Sequence, residues 1–204
     1  MRKARTREME KMELHKVREN MTMEEVKKRG LKVVKSRWVD TRKALPDDPR
    51  GVRSRLVAQE INVGPKDDTF AGTPPLWVRS LVSKAATAAK ADKGKKRLVA
   101  RYDISVAFFH AYSTGGIAVM PPKDMYVGVN LWFLLKAMNG TREASRQRGL
   151  YIKDSMVPAG STGSAAIQGL YYRPEWEIMI ACHGDDFLSW RKVFLKIWTV
   201  LMNR

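Results

Sequence analysis

The chain has 204 residues, 44% of them apolar, which excludes compositional disorder and allows one large domain or two small ones. Lys and Arg number 38 against 21 Asp and Glu, and this charge of +17 is spread along the chain, so a polyanionic partner is expected, nucleic acid before an anionic membrane surface. One cysteine excludes an internal disulfide, three histidines beside it give no zinc spacing, and neither an apolar run of ~18 residues nor a secretory signal is visible; a soluble intracellular protein follows, cytoplasmic or nuclear, with no membrane partner.

Residues 1–30 contain no proline, many strong helix formers and a terminal Gly30, and predict one exposed, charged helical lead-in. LKVVKSRWVD (31–40) and GVRSRLVAQEI (51–61) are β-branched runs flanking the turn-rich insert 44–50, the pattern of a β-hairpin. Lys35, Arg37, Arg53 and Arg55 would share one side of it, suited to phosphates.

After the loop KDDTFAGTPP, residues 76–91 place Trp77, Leu81, Ala85 and Ala88 or Ala89 at helical spacing, predicting an amphipathic helix with Trp77 in the core. KRLVARYDISVAFFHAY (96–112) begins as a strand and changes character at Asp103. Gly115-Gly116 turns into the strand IAVM, which Pro121-Pro122 ends, and NLWFLLKAM precedes a polar helix in NGTREASRQRGLYIKDSM.

AAIQGLYYRPEWEIMIACHGDDFLSW carries apolar runs around Arg173-Pro174-Glu175 and a second tight turn at His183-Gly184, predicting three short antiparallel strands. A helix from about 193 to 202 is expected to follow. Helices mixed with antiparallel strands indicate an α+β layer fold.

Three Asp-Asp pairs occur. Asp47-Asp48 and Asp67-Asp68 lie in polar turns, where aspartate bonds its own backbone. Asp185-Asp186 instead tips an apolar hairpin, where adjacent like charges resist desolvation and call for a compensating cation. Mg2+, or Mn2+ in its place, would supply it, since such ions take carboxylate oxygens together with substrate phosphates. Two ions about 4 Å apart can activate a hydroxyl and stabilise a leaving pyrophosphate. That chemistry needs a carboxylate from a second strand, and Asp103 is the natural candidate. An ordinary hairpin turn is the alternative reading of the pair.

The blocks RSRLVAQE (53–60), DDTFAGTPPLWVRSLVSKAA (67–86), YDISVAFFHA (102–111), LLKAMNGTREASRQ (134–147) and LYYRPEWEIMIACHGDDFLSW (170–190) stand in a fixed order. In that order they resemble successive blocks of copia-type LTR retrotransposon reverse transcriptases, over roughly residues 32–192. The resemblance implies a right-hand polymerase: fingers and palm in 31–192, an antiparallel palm sheet backed by helices, the start of a palm helix in 193–204, and the thumb absent.

It further implies Asp103 as the first palm carboxylate, Asp185 and Asp186 as the pair of the family's Tyr-x-Asp-Asp box, and the Ile104 backbone as a further metal ligand. Phe108 falls where the family sets an aromatic ring beneath the incoming sugar, excluding a 2′-hydroxyl, while Phe109 reads as core. Arg53 and Arg55 resemble the fingers positions that steer the triphosphate. His183-Gly184, Glu143 and Arg148 depart from the family, which usually has an aromatic and a small apolar residue, glutamine and tryptophan there. The implied partners are an RNA template, a DNA primer and deoxynucleotides. The implied activity is RNA-directed DNA polymerisation, with a non-catalytic nucleic-acid-binding remnant as the alternative.

Overall fold

In the computed structural model, which describes residues 2–43, 51–61, 74–88, 99–125 and 130–190, the charged N-terminal segment is not one helix. The elements in chain order are α1 (Arg2–Leu14), β1 (Arg18–Thr22), α2 (Met23–Lys28), β2 (Lys32–Arg42), β3 (Val52–Ala58), α3 (Leu76–Ala88), β4 (Val99–Asp103), β5 (Ile117–Met120), β6 (Asn130–Leu134), α4 (Ala144–Met156), β7 (Thr162–Gly163), β8 (Leu170–Arg173), β9 (Ile178–His183) and β10 (Asp186–Trp190). Short 3-10 turns add Ala107–His110 and Pro174–Trp176. The class is α+β, and the described residues form two five-stranded sheets.

α1 stops without a glycine. Lys16 takes the left-handed conformation at φ 50°, the Val17 N–H donates to the Met12 carbonyl at 2.9 Å, and the Lys16 N–H donates to Glu13 at 3.0 Å. This is a Schellman termination, with Met12 and Val17 both wholly buried as its apolar contact. The chain then pairs as β1 with β6. α2 opens on a capping box, Thr22 with Glu25, and ends at Gly30, whose φ of 63° and N–H to the Lys27 carbonyl make it the stop expected from sequence.

By its own contacts the chain separates into two units, one drawn from residues 1–70 and 108–148, the other from 71–107 and 149–204. In the first, the sheet runs β1-β6-β5-β2-β3, with β2 and β5 parallel and the other pairs antiparallel. The expected hairpin of β2 and β3 is present, in the register Trp38 to Leu56 and Asp40 to Ser54. Burial alternates along it: Val34, Ser36, Ser54, Leu56 and Ala58 are buried while Lys35, Arg37, Arg53 and Arg55 are exposed on the opposite face.

The lead-in helix is therefore not free. α1 packs on β3 with Met12 and Glu8 buried, the Arg5 guanidinium lies 5.2 Å from the Trp38 ring, and Arg5 meets Asp40 at 2.6 Å. Asp40 also accepts from the Ser54 hydroxyl at 2.6 Å, and these bonds hold its carboxyl below the usual range.

The second unit holds the sheet β4-β10-β9-β8-β7, antiparallel throughout. The three strands expected within 165–190 are β8, β9 and β10. One face buries Ile178, Ile180, Cys182 and Phe187 with Ile152 and Met156 of α4; fully burying such a side chain is worth ~1.5–3 kcal/mol.

The other face buries Ala181 and Trp190 against Val78 and Val82 of α3. Trp77 is 56% exposed, so its expected place in the core is corrected: the helix meets the sheet through the i, i+4 pair Val78 and Val82, turned one residue from the Trp77–Leu81 stripe. Phe109 is core, as expected. The insert 44–50, Asp67-Asp68 and the helix expected at 193–202 lie outside the described residues.

Candidate active site

β4 ends at Asp103 and β10 begins at Asp186, and the two strands pair antiparallel with Asp103 directly opposite Asp186. Directly opposed residues point to the same face of a sheet, with Cβ atoms ~5 Å apart. β10 pairs on its other side with β9, Asp186 opposite His183, so Gly184 and Asp185 form the whole connection. Gly184 has φ 62° while Asp185 does not have positive φ, the glycine-first pattern of a II′ hairpin turn. The Ile104 N–H donates to the Asp185 carbonyl at 2.9 Å, which ties the end of β4 to the turn. Two residues later Val106 sits at φ 49°, a strained conformation for a β-branched residue, just before the 3-10 turn.

Like charges set opposite each other in a sheet repel. The structure offsets this with arginine. Arg101 donates from Nη2 to both Asp186 oxygens, at 2.9 and 3.0 Å, and from Nε to Oδ1 at 3.2 Å. Arg79 of α3 adds a longer contact to Asp186 at 3.4 Å. Together with His183, Pro74 and Val78 these three residues line a cavity of about 190 Å³. The Arg101 side chain is 68% exposed and that of Asp186 27%, so the guanidinium lies on the solvent side of the pair. Asp103 and Asp185 are exposed.

A divalent ion takes hard oxygen donors, and the register provides the type required: Asp103 and Asp186 as neighbours, Asp185 in the adjoining turn, and the Ile104 backbone beside it. The donor chemistry fits such an ion. The arrangement differs from a bound site in two respects: Asp186 is committed to Arg101, and among the described residues no three His, Cys, Asp or Glu side chains converge to hold an ion.

Arg53, Arg55 and Phe108 belong to the first unit, the three aspartates to the second. Phe108 is half-buried in the 3-10 turn. Arg53 and Arg55 lie two residues apart on the exposed face of β3 and share the field of the buried Glu8, whose carboxyl is pushed up by burial and drawn back by Lys11, Arg53 and Arg55. Glu143, the departure from glutamine, accepts from the Ser113 hydroxyl and the Thr114 N–H and hydroxyl.

Sequence reasoning missed Arg101 and Arg79. Arg101 stands two residues before Asp103, so strand alternation alone puts both on one face; Arg79 comes from a helix 24 positions upstream of Asp103 and carries no such signal.

No family model, curated protein or solved structure matches the chain. Among the described residues no helix is long and apolar enough to cross a membrane.

Proposed function

We propose that the chain is the fingers-and-palm part of a reverse-transcriptase-like, RNA-directed DNA polymerase of a retrotransposon polyprotein. It works inside the cell on an RNA template and a DNA primer with deoxynucleotides. The observation that carries this reading is the register of Asp103 against Asp186 with Asp185 in the two-residue turn between β9 and β10, because separate strands bring carboxylates distant in sequence to one sheet end. The order of the sequence blocks and the excess positive charge support it.

On this reading Asp103, Asp185, Asp186 and the Ile104 carbonyl hold Mg2+ or Mn2+. When bound, such ions help deprotonate the primer 3′-hydroxyl and neutralise the departing pyrophosphate. Asp186 exchanges its arginine for the ion, Phe108 sets the sugar specificity, and Arg53 and Arg55 attract the triphosphate. Primer extension on an RNA template with Mg2+, comparing the chain with an Asp185→Ala variant, tests the proposal. Incorporation that depends on Asp185 is expected, and equal incorporation by both overturns it.

The arginine fork on Asp186 favours a second reading, a nucleic-acid-binding remnant without catalysis, in which Arg101 is the permanent counter-ion. It requires RNA binding that weakens with salt but ignores both Mg2+ and the loss of the aspartates.

A further inference from the structure

Arg101 and Asp103 alternate on β4, two residues apart, so their side chains leave the same face of the sheet. Asp186 is directly opposite Asp103 and Leu188 directly opposite Arg101, which puts Asp186 on the diagonal from Arg101, within reach of a long side chain. The guanidinium uses that reach to fork the carboxylate, engaging both oxygens within 3.0 Å. Those are the atoms through which Asp186 would hold a cation. Arg101 is thus a resident competitor placed by the same register that pairs the aspartates.

We propose that Arg101 gates the carboxylate pair: a divalent cation binds Asp103 and Asp186 only by displacing the Arg101 guanidinium, and Arg101 thereby sets the cation affinity of the hairpin. This rests on the metal-bearing reading of the aspartates given above. Displacement needs no unpacking, because the Arg101 side chain is 68% exposed and can swing into water while Asp186, at 27%, stays on its strand. Arg79 reaches only one oxygen, at 3.4 Å, and leaves the other to the incoming ion. Exposed ion pairs are weak and forked charge-assisted bonds stronger, so the gate is worth between about twofold and tenfold in cation affinity.

Mn2+ titration of the full chain, by calorimetry and by water-proton relaxation, compares the wild type with Arg101→Gln, Arg101→Lys and Asp186→Asn; far-ultraviolet circular dichroism checks that each is folded. Arg101→Gln is expected to bind Mn2+ about two- to tenfold more tightly than wild type. Arg101→Lys, which keeps the charge and loses the fork, should fall between them, and Asp186→Asn should bind more weakly than any. A residue that only braced the sheet would not order the affinities this way. Equal affinity for wild type and Arg101→Gln, with Asp186→Asn still weaker, overturns the gate and leaves the metal-bearing reading standing. No Mn2+ binding in any variant overturns both.

Discussion

Both oxygens of the Glu143 carboxylate accept from the backbone N–H of Thr114, each at 3.2 Å, and the Ser113 hydroxyl donates to the same group at 2.6 Å. One side chain thus closes the turn that leads into β5 from a position just ahead of α4. Glu143→Ala strands these donors and is expected to lower stability by about 1–3 kcal/mol in urea unfolding. Glu143→Gln, the residue usual in the resembled family, retains one acceptor oxygen and should cost less than alanine. Equal loss for both variants would show that the second oxygen, rather than the acceptor as such, carries the tie.

Glu8 contributes in the opposite sense. Burial against β3 raises its carboxyl above the ordinary glutamate value, only partly countered by Lys11, the Leu56 N–H, Arg53 and Arg55. A raised carboxyl binds its proton more tightly folded than unfolded, so its stabilising share is full below the unfolded value and is lost as pH rises through the folded one. At pH 7 Glu8 is therefore a net cost to folding. Glu8→Gln should raise the urea midpoint at pH 7 and leave it nearly unchanged at pH 4; a lower midpoint at pH 7 would mean that its attraction to the two arginines outweighs burial.

Gly140 holds the third test. At φ 85° a Cβ there would lie 2.0 Å from the Ala58 carbonyl oxygen and 2.6 Å from a Val57 methyl, where the Ala58 N–H already donates to Asn139 at 2.8 Å. Backbone and not a flexible side chain is in the way, so Gly140→Ala should cost about 2–4 kcal/mol. Gly30, at φ 63° with nothing within 4 Å, is the control: its alanine variant bears only the left-handed strain of about 1 kcal/mol. Thermal or urea unfolding of the two variants side by side separates crowding from strain.

The elements that sequence reading places correctly are those whose signals are local. The β2–β3 hairpin has alternating burial bounded by turn residues, Gly30 supplies the backbone freedom that ends α2, and the three strands of 170–190 are separated by the turns at Arg173-Pro174-Glu175 and Gly184. The break after α1 is not legible, because Lys16 takes a glycine's conformation and the gain that compensates, the contact of Met12 with Val17 and the pairing of β1 with β6, comes from outside the helix. Trp77 misleads for a related reason: the apolar stripe it heads is real, yet the sheet accepts the neighbouring stripe of Val78 and Val82, and only packing decides between them.

The candidate site divides the same way. By itself the sequence determined that β4 ends in Asp103, that Asp185 and Asp186 sit at a tight turn, and that the chain carries a large positive excess, because each of these is a matter of composition or of neighbours along the chain. Tertiary structure alone decided that Asp103 faces Asp186 and that the cation beside Asp186 is a guanidinium from Arg101, with Arg79 behind it. Strand register and helix docking are set by what the two faces of the sheet can bury together, and charges then take the partners that this burial brings within reach.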